Sequence, residues 1–210
     1  AMRYGALEGG GTKMMLAVAD ENMNILTRES IPTTLPEETM ERMIAFFREN
    51  PVDALGVGCF GPLDLNPASP TYGYITKTPK LAWRDYPLLP KFEKALGVPC
   101  AIDTDVNAAV LCEAEMGAAR GLKNCVYVTI GTGIGGGVVL DGKPYYGRGA
   151  SAGVMLGGLI THPEAVVAGD PFSGTYERYA STTALIAGAR QVDPAIENGR
   201  QLFARQEDPV

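Results

Sequence analysis

Ala101-Ile102-Asp103-Thr104-Asp105-Val106-Asn107-Ala108-Ala109 joins an apolar run to an alanine-rich one. Val98 to Ile102 predicts a short buried strand, and Ala108 to Ala119 predicts a helix. The polar residues between them therefore fall where a strand ends and a helix begins. Open α/β sheets hold ligands at such carboxyl-terminal strand ends. An Asp there accepts a proton from an alcohol, and an Asn holds a neighbouring hydroxyl. Asp105 or Asn107 would equally serve as a plain helix cap, because both residue types are favoured at that position. On this stretch alone both readings stay open.

Two glycine turns flank it. Tyr4 to Leu7 reads as a strand, followed by Glu8-Gly9-Gly10-Gly11-Thr12-Lys13 and a second strand, Met14 to Ala19. Cys125 to Ile130 reads as a strand, followed by Gly131-Thr132-Gly133-Ile134-Gly135-Gly136-Gly137 and a strand at Val138 to Leu140. Gly131, Gly133 and Gly136 nominally spell G-x-G-x-x-G, but a strand and the hairpin signal Asp141-Gly142 follow instead of a helix. That excludes a dinucleotide fingerprint, and neither turn has the spacing of a Walker A loop. A matched pair of turns suits a ligand bridging two halves: glycine lets backbone amides approach phosphate oxygens, and Thr12 and Thr132 each add a hydroxyl. Two tight turns without a ligand is the alternative for either one alone.

Further elements follow the same logic. Asp20-Glu21-Asn22 turns the chain into a third strand, Ile25 to Ile31. Pro36 to about Glu49 predicts a helix with Met40, Met43, Ile44 and Phe47 on one face and Thr34 or Leu35 at its cap. Ala54 to Phe60 reads as a buried strand, and Leu63 to Lys80 as a loop too long to be an idle connector. Leu89 to Leu96, Tyr176 to Ala189 and Ile196 to Gln206 read as helices. Both halves repeat one plan of strand, glycine turn, strand and hairpin, with the boundary around Ala118 to Lys123.

Of the 210 residues, 46% are hydrophobic and 20% charged, the profile of a globular chain large enough for a real core. A net charge of -6 argues against nucleic acid as a general partner. No run reaches the roughly 18 apolar residues of a membrane span, and Glu8 and Lys13 interrupt the first apolar stretch as no signal peptide would. Cys59, Cys100, Cys112 and Cys125 are widely spaced, which predicts reduced core thiols and a cytoplasmic setting.

Taken together these residues resemble the ROK family of sugar kinases, most closely its bacterial fructokinases. The resemblance implies the α/β, actin-like ATPase (ribonuclease H-like) fold, with an N-terminal lobe (residues 1–118) and an incomplete C-terminal lobe (119–210). Leu7 to Lys13 is similar to the family's first phosphate loop, implying nucleotide contacts at Glu8, Gly10, Gly11, Thr12 and Lys13. Gly131 to Gly137 is similar to the second, implying Gly131, Thr132 and Gly133. Gly61-Pro62-Leu63-Asp64-Leu65-Asn66-Pro67, with Tyr72 to Thr76 and Thr78-Pro79-Lys80, resembles the sugar-side loop and implies sugar contacts at Gly61 and Pro62. Asp103 to Asn107 matches the catalytic segment, implying Asp105 as general base, Asn107 as sugar ligand and Asp103 as support for the turn. ATP with Mg²⁺ would be the phosphate donor, a hexose, foremost D-fructose at its 6-hydroxyl, the acceptor, and a homodimer the assembly. Glucokinase or N-acylmannosamine kinase specificity, and a catalytically weak sugar- or nucleotide-binding relative, are the alternatives. A transcriptional regulator is disfavoured by the acidic charge.

After Gly147 the pattern departs from the family. Ser151-Ala152-Gly153 leads into the Glu-x-Gly-His element, yet Val154 and Gly157 stand at its Glu and His positions. His162-Pro163-Glu164 resembles a displaced version and offers Glu164 as a sugar ligand; otherwise His162 is a surface loop residue. Gly174 to Ser181 resembles the end of the family's zinc loop without its cysteines, implying Glu177 as a further sugar ligand and no structural zinc. The resemblance also implies helices and an adenosine-side segment beyond Val210.

Overall fold

The structure, a computed structural model, describes residues 1–147 and 156–205. Strands β1 (Arg3–Gly9), β2 (Lys13–Asp20) and β3 (Ile25–Pro32) form an antiparallel meander. β4 (Ala54–Cys59) and β5 (Cys100–Thr104) add in parallel beside β1, giving the order β3-β2-β1-β4-β5. Parallel neighbours require crossovers, and the helices α1 (Pro36–Glu49) and α2 (Leu88–Leu96) supply them. In α1, Met40, Met43, Phe46 and Phe47 recur at helical spacing and are buried, Pro36 opens the helix, and Arg48 sits in its last turn. They pack with Leu88, Leu89 and Phe92 of α2 on Leu7, Leu16, Val18, Leu55 and Val57 of the sheet.

A second, three-stranded sheet holds β6 (Cys125–Ile130), β7 (Ile134–Leu140) and β8 (Lys143–Pro144), all antiparallel. The expected internal repeat is present: each half begins with a strand pair closed by a glycine turn and continues into a third strand. Helix α3 (Asp105–Glu115) lies against both sheets, meeting β4 on one side and β6 and β7 on the other.

Glycine makes that double contact possible. A methyl group at Gly137 would lie 2.3 Å from the Val106 carbonyl oxygen and 2.9 Å from Val110 Cγ1. The three glycines Gly135 to Gly137 therefore belong to strand β7 rather than to a long turn, and the second turn shrinks to Gly131–Gly133. Gly137→Ala is expected to cost about 1–3 kcal/mol by overpacking against backbone. Gly188→Ala, in open space within helix α5 (Thr182–Val192), is expected instead to gain about 0.5–1 kcal/mol. Urea midpoints for the two variants should move in opposite directions.

Other boundaries shift for local reasons. The fifth strand starts at Cys100, not Val98, because Pro99 brings no ladder donor and its carbonyl only receives Leu55 N–H at 2.9 Å. Helix α3 starts three residues before the expected Ala108 because Thr104 caps it, its side chain accepting the Asn107 N–H. The helix expected over Tyr176 to Ala189 divides into α4 (Tyr176–Ala180) and α5, since Ser181 is extended and its hydroxyl caps the second piece. The last helix, α6 (Gly199–Ala204), is shorter than expected because Asn198 caps it. The Leu63–Lys80 segment is folded, with Ile75 bridging both Leu63 and Tyr86. Only Cys59 is a true core thiol; Cys112 is exposed on α3.

Candidate active site

Strand register builds the site. Glu8 pairs with Gly58, and Gly58 with Asp103, so one row of residues crosses β1, β4 and β5 near their carboxyl ends. Residues in register project to the same face, which puts the Glu8 and Asp103 carboxylates two strand spacings, about 9–10 Å, apart. Gly58 leaves the notch between them empty, and α3 enters it. A methyl at Gly58 would lie 2.9 Å from Ala108 Cβ and 3.7 Å from Asp105 Cα. Asp105 is thereby set between two other acids, in a cleft of about 750 Å³ lined also by Glu8, Asp103 and Tyr146.

The three polar residues of the opening stretch divide their work. Asp103 is fully engaged: Oδ1 accepts from the Thr104 N–H and from Asn107 Nδ2, both at 2.7 Å, and Oδ2 accepts from the Tyr146 hydroxyl at 2.6 Å. Asp105 is relieved of capping by Thr104, and among the described residues its carboxylate meets only local backbone N–H, that of Val106 at 2.9 Å. Its carboxylate opens to solvent, yet loss of water within the cleft raises its pKa above the ordinary carboxylate range. The Val106 N–H opposes that rise, and the charge of Glu8 adds to it. An ionised acid held at raised pKa and free of strong partners is suited to accept a proton.

Asn107 is only 1% exposed and does not line the cleft, and its Oδ1 lacks a partner among the described residues. Tyr146, from the segment after β8, reaches across to Asp103, so the hydroxyl ties the second half of the chain to the turn that carries Asp103 and Asp105. Burial, with the Asp103 carboxylate beside it, pushes the Tyr146 phenol well up. Tyr146→Phe should cost about 1 kcal/mol of stability. A double-mutant cycle with Asp103→Asn should return most of that as coupling, and additive losses would break the link.

The first glycine turn is buttressed from the β3–α1 connection. Gly10 N–H donates to the Lys13 carbonyl, the Gly10 carbonyl accepts from Thr33 Oγ1 at 2.8 Å, and Thr33 N–H donates to the Thr12 carbonyl at 2.9 Å. Thr12 and Lys13 themselves are exposed. In the loop after β4, the Pro62 carbonyl accepts both the N–H and hydroxyl of Thr76. Asp64 anchors the next bend by accepting from Ser69 and Thr71, and these hydroxyls hold its carboxyl below the usual range.

The second turn is clasped from α4 and α5. Glu177 Oε2 accepts the Ile134 N–H at 2.7 Å, the Gly131 carbonyl accepts Thr182 N–H at 2.8 Å, and the Thr132 carbonyl accepts Thr183 Oγ1 at 3.0 Å. Thr132, Glu177 and Thr183 line a second cleft of about 620 Å³. A methyl at Gly157 would lie 2.3 Å from the Ile134 carbonyl oxygen and 3.0 Å from Glu177 Oε2, so this position has no room for the histidine of the family pattern. His162 is not a free surface residue: its ring stacks on Tyr179 at 3.8 Å, and Nδ1 meets Thr161 Oγ1 at 3.0 Å.

The sequence signature of the ROK family matches residues 4–209. The chain belongs to the ROK family. It is 41% identical to a fructokinase of Zymomonas mobilis subsp. mobilis over 215 aligned residues, covering 96% of this chain and 71% of that protein. It is 50% identical to a fructokinase of Lactococcus lactis subsp. cremoris over 139 residues, covering 66% of this chain and 47% of the relative. The chain thus spans between about half and seven-tenths of these relatives. The ROK family glucokinase of Streptomyces griseus, solved with glucose and AMPPNP, superposes with a TM-score of 0.77 at 28% identity, covering 99% of this chain and 72% of that one. The fold is accordingly the actin-like ATPase fold of ROK sugar kinases, as the resemblance implied.

Within this ROK fold, Glu8, Asp103 and Asp105 come together, and the first turn extends directly from Glu8. Glu177 is placed on the second turn and its cleft rather than among the residues lining the Asp105 cleft, because its carboxylate satisfies a backbone N–H there. Glu164 is exposed in a single 3-10 turn, Pro163–Ala165, and lines neither cleft. Val154 lies outside the described residues. Thr104, Thr33 and Tyr146 escaped the sequence reading. A Thr immediately before an acidic first turn signals a cap, whereas nothing in sequence announces contacts as distant as Thr33 to Gly10 or Tyr146 to Asp103. Among the described residues no three His, Cys, Asp or Glu side chains form a metal-binding group. Glu8, with its carboxylate on the cleft, could nevertheless approach a magnesium ion that keeps most of its water. No helix of the described residues is long and apolar enough to cross a membrane.

Proposed function

We propose that the chain acts in an ATP-dependent hexose kinase, with D-fructose as acceptor and Asp105 as general base. The observation that carries this reading is Asp105 itself: a carboxylate with raised pKa and no strong partner among the described residues, in a cleft that it shares with Glu8, the residue leading into the first glycine turn. Phosphoryl transfer demands mainly positioning and charge neutralisation, plus a group that takes the hydroxyl proton. Asp105 takes the proton from the 6-hydroxyl as its oxygen bonds to the γ-phosphorus; the bond to the β–γ bridging oxygen breaks, and ADP leaves. The Gly10–Thr12 and Gly131–Gly133 turns and Lys13 hold the phosphates. Mg²⁺ arriving with ATP would supply positive charge to the phosphate oxygens beside Glu8 and Asp105. Asn107 is taken as the sugar ligand that the family pattern gives, its Oδ1 having no partner among the described residues. Gly61 and Pro62 close the sugar side, with Glu164 and Glu177 as further sugar contacts in the assembled enzyme. The lobes divide at 118/119, the assembly is a homodimer, and the setting is cytoplasmic.

A coupled ADP-release assay with fructose, glucose, mannose and N-acetylmannosamine tests the reading, with fructose expected to turn over fastest. ADP release that no sugar raises above background would sink it. A second reading, sugar or nucleotide binding without turnover, is favoured by the filled space at Gly157 and the commitment of Glu177 to the second turn. Calorimetry with fructose and with Mg²⁺-ATP separates the two, because the second predicts heat of binding without ADP.

A further inference from the structure

The family reading leaves one cation beside the first glycine turn without a role. Lys80, at the end of the sugar-side loop, lies across Gly11: a methyl placed there would meet Lys80 Cε at 2.9 Å and come within 3.8 Å of its Nζ. The lysine is half-buried, and its ammonium makes no ion pair or hydrogen bond among the described residues. A flexible cation held over bare backbone, with no counter-charge among the described residues, is suited to an anion brought by a ligand.

Its placement is built rather than incidental. Lys80 precedes the 3-10 turn Leu81–Trp83, and Trp83 donates from Nε1 to the Thr34 carbonyl at 3.0 Å. Thr33, the neighbouring residue, braces Gly10 and Thr12. Thr78, 1% exposed, accepts the Lys80 N–H through its hydroxyl, and Arg84 donates to the Thr78 carbonyl. One hydrogen-bonded chain therefore fixes both the turn and the lysine above it. Gly11 lies three residues beyond Glu8, whose carboxylate shares the cleft with Asp105.

We propose that Lys80 binds the terminal phosphate of a nucleoside triphosphate seated on the Gly10–Thr12 turn, and neutralises its charge as the phosphoryl group transfers. The anion contact stands by itself; the part played during transfer rests on the kinase reading. Because Lys80 belongs to the sugar-side loop, the contact would also couple sugar and phosphate binding.

The test compares Lys80→Met, which keeps the aliphatic stem over Gly11, and Lys80→Arg, which keeps the charge, with the unaltered full chain. Calorimetry reads Mg²⁺-AMPPNP, Mg²⁺-ADP and tripolyphosphate, and steady-state assays read kcat and both KM values. Lys80→Met should weaken AMPPNP and tripolyphosphate by about 10- to 100-fold, the loss of one charged hydrogen bond, and ADP by about threefold or less. Its kcat should fall by about 10²- to 10³-fold, as for removal of one donor to developing charge, with Lys80→Arg recovering part. Equal weakening of ADP and AMPPNP would mean a distorted turn and overturn the proposal, as would wild-type AMPPNP affinity in Lys80→Met. Turnover with an inert Lys80→Met overturns the proposal while the kinase reading stands. Triphosphate binding that depends on Lys80 without sugar turnover has the opposite meaning. A wild-type chain that binds neither AMPPNP nor tripolyphosphate overturns both.

Discussion

Asp105→Asn is expected to lose sugar-dependent ADP release by about 10²- to 10⁴-fold, the usual contribution of a general base, while folding as the parent does. The amide keeps the shape and cannot take the 6-hydroxyl proton. The same carboxyl sets two pH dependences. Activity needs the ionised form, so it should fall on acidification at a higher pH than an ordinary carboxylate would give, because water loss in the cleft raises the Asp105 pKa. Stability runs the other way. The folded state binds the Asp105 proton more tightly than the unfolded chain does, so this group favours folding at low pH. That contribution disappears as pH rises from the unfolded value through the raised folded one. At neutral pH the charged Asp105 is therefore a cost, and Asp105→Asn should melt at or above the wild-type temperature. A variant that keeps wild-type turnover would remove Asp105 from the mechanism. One that melts well below wild type would give it a structural role instead.

Trp83→Ala is expected to produce the largest loss of stability, about 3–5 kcal/mol. That is a large share of the roughly 5–15 kcal/mol by which a domain is stable. Trp83 is 2% exposed, with edge-on contacts to Phe60 at 5.9 Å and Tyr86 at 5.2 Å between ring centroids. Its removal leaves a void beneath the sugar-side loop and strands the Thr34 carbonyl, which the indole N–H satisfies at 3.0 Å. Because Thr34 adjoins Thr33, which buttresses the first glycine turn, the KM for ATP should rise in any Trp83 variant stable enough to assay. Trp83→Phe, which fills most of the void but makes no such hydrogen bond, should cost only about 1–3 kcal/mol. Urea titrations monitored by circular dichroism would show the difference as shifted midpoints. A Trp83→Ala midpoint equal to that of wild type would refute the packing described.

How far each feature was legible follows from the distance over which it acts. Alternating burial in β1 and β2, the Met40–Phe47 stripe of α1 and the Asp141-Gly142 hairpin are local patterns of period and turn, and they read directly from the residues. The two glycine turns and the polar strand end at Asp103–Asn107 were legible for the same reason. Boundaries were less so, since a proline or a cap moves them: Pro99 delays β5, Thr104 advances α3, and Ser181 divides one expected helix into two.

By itself, then, the sequence determined the order of elements, the pair of turns, and Asp105 as the acid to watch, because these depend on near neighbours and hydrophobic period. Only the tertiary structure decided what that acid stands among. The row Glu8–Gly58–Asp103 exists because three strands lie in one register, and α3 enters its gap because Gly58 and Gly137 carry no side chains. Thr104 takes over the capping and leaves the Asp105 carboxylate facing the cleft. Glu177 is drawn to the second turn, and Lys80 to the first, by hydrogen bonds and packing between residues dozens of positions apart. Such contacts are set by how the sheets and helices close on one another, which no local pattern encodes.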